Sequence, residues 1–282
     1  MNISRILGTI DKQLYFLGLR SLAGLTLPNF LGIGFPKAGT TWLYENLRKH
    51  PDVYMSHPKE LNYFTKGYAE PLSSYAEKFR EGAGKVCGEI SPGYAYLPCN
   101  RLSEVKRIVP NAKLILMLRN PIEQQWSHAV HDLAYCQGRP IESVPAEEWR
   151  ARFEKSAIYQ SGGMSRIVDR WTSAFGQEQV LIGFYEDVSQ QPMELLKRVF
   201  RHIGVTTDLD WDTLPYAAVI LPPAKPEFRD EDQGRGVVAS NHVNSSALMP
   251  AHCHELLMEM YEADLRELQR RFGERVSPWL QF

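Results

Sequence analysis

The sequence predicts an α/β domain of P-loop-like, three-layer design, with a central parallel sheet flanked by helices. Three observations carry that expectation. Short apolar runs of β type alternate with longer segments whose apolar residues recur every three or four positions. Hydrophobic residues make up 44% of the 282 positions and charged residues 23%, the balance of an ordinary globular core. Gly34 and Gly39 punctuate the passage from the first apolar run into the first helical pattern.

At the N-terminus, Ile3, Ile6, Leu7, Ile10, Leu14 and Leu17 stand at helical spacing, but Arg5, Asp11, Lys12 and Arg20 interrupt any run able to span a bilayer. No apolar stretch ends in a small-residue cleavage site before the first strand, so neither a transmembrane segment nor a secretory leader is expected. The expectation is an amphipathic helix packed on the domain, or on a second subunit if the protein is a homodimer. Residues 1–29 are therefore read as a helical extension and 30–282 as a single domain. Strands are expected over residues 30–35, 86–90, 113–118 and 180–185. Helices are expected over 41–49, 102–109, 122–135, 164–175, 193–203 and 252–272. Between the last two lies the segment 221–244, with three prolines, a charged run and two glycines, which reads as a long surface loop of the kind that often serves binding.

Charge narrows the partners. Lysine plus arginine (32) nearly cancels aspartate plus glutamate (33), so no global field draws the protein to nucleic acid, and any anion site must be local. The four cysteines, Cys87, Cys99, Cys136 and Cys253, form no CxxC pair and share no metal spacing with histidine. Reduced thiols and a cytoplasmic setting are the expectation.

The strongest local signal is Leu31-Gly32-Ile33-Gly34-Phe35-Pro36-Lys37-Ala38-Gly39-Thr40-Thr41-Trp42-Leu43. An apolar strand entering a glycine-bearing loop and then a helix offers backbone N–H groups, first from the loop and then from the helix start, to an anion. Gly34 and Gly39 have the GxxxxG spacing of a nucleotide-triphosphate loop, but Thr40 stands where lysine would follow, and the lysine lies inside the loop as Lys37. The strand 113–118 leads into Arg119, where an NTPase often has a magnesium-linked aspartate. The site reads as one built for an anion without a metal.

A second block, Arg119-Asn120-Pro121-Ile122-Glu123-Gln124-Gln125-Trp126-Ser127-His128, follows a buried strand. Pro121 suits a first helical turn, which leaves Arg119 at the carboxyl end of the sheet and Ser127 about two turns farther on. Taken alone, such an arginine serves equally well as a structural ion-pair partner.

Together and in this order, the two blocks resemble the sulfotransferases that use 3′-phosphoadenosine 5′-phosphosulfate (PAPS). In that family a PKxGTTWL-like loop holds the 5′-phosphosulfate and an RNPxxxxxS-like unit holds the 3′-phosphate. Lys59-Glu60-Leu61-Asn62-Tyr63-Phe64 resembles the KExxFF segment of the carbohydrate and heparan-sulfate branch, and Glu89-Ile90-Ser91-Pro92-Gly93-Tyr94 its EKTPxY segment. The likeness continues more weakly through Tyr185-Glu186-Asp187, covering most of the chain after Asn29. Three departures stand out: Gln124 where the family often has arginine, Ile90 in place of the EKTPxY lysine, and no KGRxH-like segment before Pro250.

The resemblance implies PAPS as sulfuryl donor, 3′,5′-bisphosphate (PAP) as product, no metal, and an acceptor hydroxyl on a carbohydrate or small metabolite. It implies Lys37 and Glu60 as the catalytic pair, with Lys37, Ala38, Gly39, Thr40, Thr41, Trp42, Arg119 and Ser127 at the donor. His57 and Glu89 compete with Glu60 as base. Lys225, Arg229 and Arg235 are candidates for late nucleotide contacts, while His128 and His131 read as packing or polar-face residues rather than metal ligands. Trp42, Tyr63, Tyr94 and Trp126 are rings that could stack on adenine or a sugar, though most are expected in the core. The alternatives are a magnesium-dependent phosphotransferase and a non-catalytic nucleotide-binding protein.

Overall fold

A strand covered on both faces is written as an unbroken apolar run, and the centre of the sheet follows that rule. The computed structural model describes residues 3–155, 163–217 and 249–281. Phe30–Gly34 (β1), Val53–Met55 (β2), Val86–Ile90 (β3), Lys113–Leu118 (β4) and Val180–Phe184 (β5) form one five-stranded sheet in the order β2-β3-β1-β4-β5. Every neighbouring pair is parallel. In β1, Phe30, Leu31 and Ile33 are sealed from solvent, as are Leu114 through Leu118 in β4. The four strands expected from the sequence are present, with β5 stopping at Phe184. The extra one, β2, is an edge strand of three residues, too short to show a period.

Helices cover the sheet: Thr40–Leu47 (α2), Cys99–Ile108 (α4), Pro121–Val130 (α5), Met164–Phe175 (α7), Pro192–Ile203 (α9) and Ala251–Phe272 (α10) answer to the six expected patterns. The chain also forms Leu72–Glu77 (α3), Ala146–Glu154 (α6) and Asp187–Gln190 (α8), which the sequence did not announce. The first and last of these are shorter than two turns, and α6 buries only Trp149 and Phe153 among charged neighbours. Beyond Val130 the helical path continues as a π-helical turn, His131–Cys136. The loop expected over 221–244, with Lys225, Arg229 and Arg235, lies outside the described residues.

The N-terminal helix Ile3–Phe16 (α1) packs on the domain through a stripe that includes polar residues. Ile10 and Leu17 are 50% and 69% exposed, whereas Asp11 and Lys12 are buried. A Cβ on Gly8 would lie 1.8 Å from the Ala69 carbonyl oxygen, so Gly8, Asp11 and Lys12 form the docking stripe. The reason is chemical: the facing segment presents polar backbone, which aliphatic side chains cannot satisfy. The Leu72 N–H, at the start of α3, donates to Asp11 Oδ2 at 2.8 Å. Lys12 Nζ donates to the Glu70 carbonyl at 2.7 Å and sits 4.5 Å from the centre of the Tyr68 ring. Burial lowers the Lys12 ammonium to about 8.

Because all five strands run the same way, their carboxyl ends share one rim. The chain leaves β1 for β2 and β3 on one side and reaches β4 and β5 on the other, which opens a crevice beyond β1.

Candidate functional site

The loop leaving β1 lies on that crevice. Lys37 has φ 62° and Gly39 φ 81°, two left-handed residues that curl the chain before α2 begins at Thr40. Gly34 is fixed by proximity, since a Cβ there would lie 2.6 Å from Ala95 Cβ. Gly39 is the residue capping α2, and no side chain caps the first amides of that helix. Those amides and the curled loop supply backbone N–H donors of the kind that can meet an anion. Lys37 and Thr41 are half-buried, whereas Thr40 is nearly covered. Ala38 and Trp42 are core residues, the Trp42 indole N–H donating to the Tyr216 carbonyl at 2.9 Å. Tyr63, Tyr94 and Trp126 are likewise buried, as most of the rings were expected to be.

Arg119, at the end of β4, meets the same loop. Its Nη1 donates to the Lys37 carbonyl at 3.0 Å and its Nη2 to Glu123 Oε2 at 3.1 Å. The guanidinium lies 4.3 Å from the centre of the Tyr185 ring, which follows β5, and Arg119 is only 7% exposed. Its Nε is buried without a partner, an orphaned donor beside a candidate anion site. Gln124 holds the loop from beneath: fully buried, it donates from Nε2 to the Pro36 carbonyl at 2.8 Å and accepts from Gln125 Nε2 at 2.7 Å. Ser127 is half-buried on α5. Lys37 and Arg119 thus belong to one contiguous cluster.

Glu60 lies in the segment after β2 and reaches the rim beside the end of β3. Its N–H donates to the Ile90 carbonyl at 3.2 Å, and Lys59 Nζ lies 2.8 Å from its Oε1. The carboxylate is about half exposed, and the residue has φ 65°, left-handed like Lys37. Its rivals differ. His57 is exposed. Glu89 is sealed from solvent and accepts hydrogen bonds from Tyr75, from Tyr94 at 2.8 Å and from Ser91 at 2.7 Å. Burial raises the Glu89 carboxyl above the usual range, with those donors pulling the other way. The Asn62 N–H donates to Ser91 Oγ at 3.0 Å, so Glu89 supports the loop that carries Glu60.

The histidines of α5 and its extension join this cluster. Burial lowers the His131 imidazole first, and the Lys37 charge lowers it further while Glu60 and Asp132 raise it. Burial and Lys37 also lower His128. His131 therefore lies within the electrostatic reach of both Lys37 and Glu60, a placement that its sequence context did not signal. Between α5 and α6 opens a cleft of about 590 Å³ whose polar lining comes from Gln125, His128, Asp132, Glu148, Arg152 and Lys155. Arg152 pairs with Asp132 and stands 3.5 Å from Glu148, which Arg139 also holds at 2.7 Å. Among the described residues no group of three or more His, Cys, Asp or Glu could hold a metal ion, and no helix is long and apolar enough to cross a membrane.

A family model described as "Sulfotransferase domain" matches residues 27–214. A 107-residue stretch is 40% identical to the membrane-associated sulfotransferase kil1 of Dictyostelium discoideum, covering 36% of this chain and 22% of that protein. The chain is 25% identical over 287 residues to the bifunctional heparan sulfate N-deacetylase/N-sulfotransferase 1 of Mus musculus, covering 90% of this chain and 31% of that protein. The chain therefore spans less than a third of either curated relative. Among solved structures, a sulfotransferase from Alicyclobacillus acidocaldarius superposes with a TM-score of 0.67 at 22% identity, covering 90% of this chain and 99% of that one.

Proposed function

Since the chain belongs to the sulfotransferase family, we propose that it moves a sulfuryl group from PAPS to an acceptor hydroxyl and releases PAP. The observation that carries this reading is the contact between its two anion-binding elements, in which Arg119 donates to the Lys37 carbonyl. One nucleotide with phosphates at both ends of its ribose can then meet both elements.

In this reading the loop amides, Thr40 and Thr41 hold the 5′-phosphate, while Arg119 and Ser127 hold the 3′-phosphate. Glu60 takes the proton from the acceptor hydroxyl as the new oxygen–sulfur bond forms. The bond between sulfur and the bridging phosphate oxygen breaks, and Lys37 neutralises the charge left on that oxygen. A preorganised donor in this position contributes on the order of 3 kcal/mol at the transition state. Glu60 is preferred over Glu89 because a base must reach the acceptor, and the Glu89 carboxyl is enclosed by its own donors.

The acceptor proposed is a carbohydrate or small polar metabolite. The named activity of the mouse relative on heparan sulfate supports it, as does the polar lining of the cleft between α5 and α6. The test is to incubate the protein with isotopically labelled PAPS and a cell extract, then to search for labelled products by mass spectrometry. A labelled hydroxylated product, lost with Glu60→Ala, is expected. Donor binding without acceptor-dependent PAP release in any fraction would instead identify a non-catalytic nucleotide-binding protein.

A further inference from the structure

Arg119 is held in a way that bears on how the nucleotide gains access to it. One terminal nitrogen is committed to the Lys37 carbonyl and one face to the Tyr185 ring. Its other terminal nitrogen is paired with Glu123, one helical turn on. The two partners are unequally confined: the Arg119 side chain is 8% exposed and that of Glu123 31%. A second carboxyl, Glu186, is held by the Trp279 indole N–H at 2.8 Å and interacts electrostatically with both Glu123 and Arg119. Two acidic side chains therefore act on one guanidinium, Glu123 by direct contact and Glu186 through its charge, and the Arg119 Nε has no partner.

We propose that Glu123 stands in for the 3′-phosphate on Arg119 and must yield when that phosphate binds, which makes it a positioning residue that tempers the hold on 3′-phosphorylated nucleotides. The inference rests on the reading of Arg119 as the 3′-phosphate ligand. Anions competing for one guanidinium repel each other, and Glu123, whose side chain is 31% exposed, has solvent to swing into. Arg119 stays in place because the Lys37 carbonyl and the Tyr185 ring still hold it. Glu123 therefore keeps the arginine oriented in the absence of nucleotide and weakens the hold on the bisphosphate, which favours release of product. A nucleotide without a 3′-phosphate leaves the pair undisturbed.

Calorimetric titration of the full chain with PAP and with ADP, which lacks the 3′-phosphate, tests this. Removing one like charge in a partly buried site should tighten PAP binding to Glu123→Gln by about tenfold. ADP affinity should not change, and it serves as the control for folding. Arg119→Ala should lose the preference for PAP over ADP. If Glu123→Gln binds PAP no tighter than the parent while Arg119→Ala still loses that preference, the inference falls and the Arg119 assignment stands. Equal tightening of PAP and ADP also overturns it. If Arg119→Ala keeps the preference, the assignment falls and takes the inference with it.

Discussion

Lys37 and Glu60, the two residues given the chemistry, both hold left-handed backbone, as does Asn62 at φ 53°. For a residue with a Cβ that conformation costs roughly 1–2 kcal/mol, and the surrounding contacts must maintain it. At Glu60 the hydrogen bonds to Ile90 and from Asn62 do so. Glycine adopts the same angles without the clash, although its unfolded chain is more disordered. Glu60→Gly should therefore abolish sulfuryl transfer while keeping the stability of the parent or gaining up to about 1 kcal/mol. Parallel urea denaturation and turnover measurements would show this, and a marked loss of stability would mean that the carboxylate holds the loop rather than serving the reaction.

At the scale of elements, α1 and the segment before α3 are joined by a charged seam. The folded pKa of Lys12, about 8, lies below its ordinary value of 10.5. Folding thus favours the neutral amine, so the contribution of this group to stability is fully present above 10.5 and lost as the pH falls through about 8. Methionine does not titrate. The melting temperature of the parent minus that of Lys12→Met should accordingly rise between pH 8 and pH 10.5, and a flat difference would contradict the burial of the ammonium.

This seam also marks a limit of what could be read from the chain. The apolar periodicity of α1 was legible, but the polar contacts that dock it were not, because Lys12 meets the Glu70 carbonyl, 58 residues away in sequence. The four longer strands and the glycine loop were legible because their patterns are local. The Glu123 pair with Arg119 was in principle visible as an i, i+4 spacing. The bond from Gln124 to Pro36 was not, since nothing local distinguishes a glutamine that faces a loop carbonyl from one that faces water. The motif resemblance put Glu60 ahead of Glu89 as base, but the enclosure of Glu89 by Tyr75, Tyr94 and Ser91 is a matter of tertiary packing.

On the scale of the whole molecule, the rim joins loops from β1, β3, β4 and β5, so a nucleotide bound there ties four strands together. Ligand at about 100 times its Kd adds about 2.7 kcal/mol to the native state. For a chain of this size PAP should raise the melting temperature by about 5 to 10 °C. If the proposed metal-free reading holds, adding EDTA should leave that shift intact, and a shift abolished by chelator would restore the phosphotransferase reading. The enclosure of Glu89 has a practical corollary for chemical labelling. A water-soluble carbodiimide with an added amine can reach only carboxyls that face the medium, so tryptic mapping should find the tag on the peptide bearing Glu60 and leave Glu89 unmarked until the polypeptide is denatured.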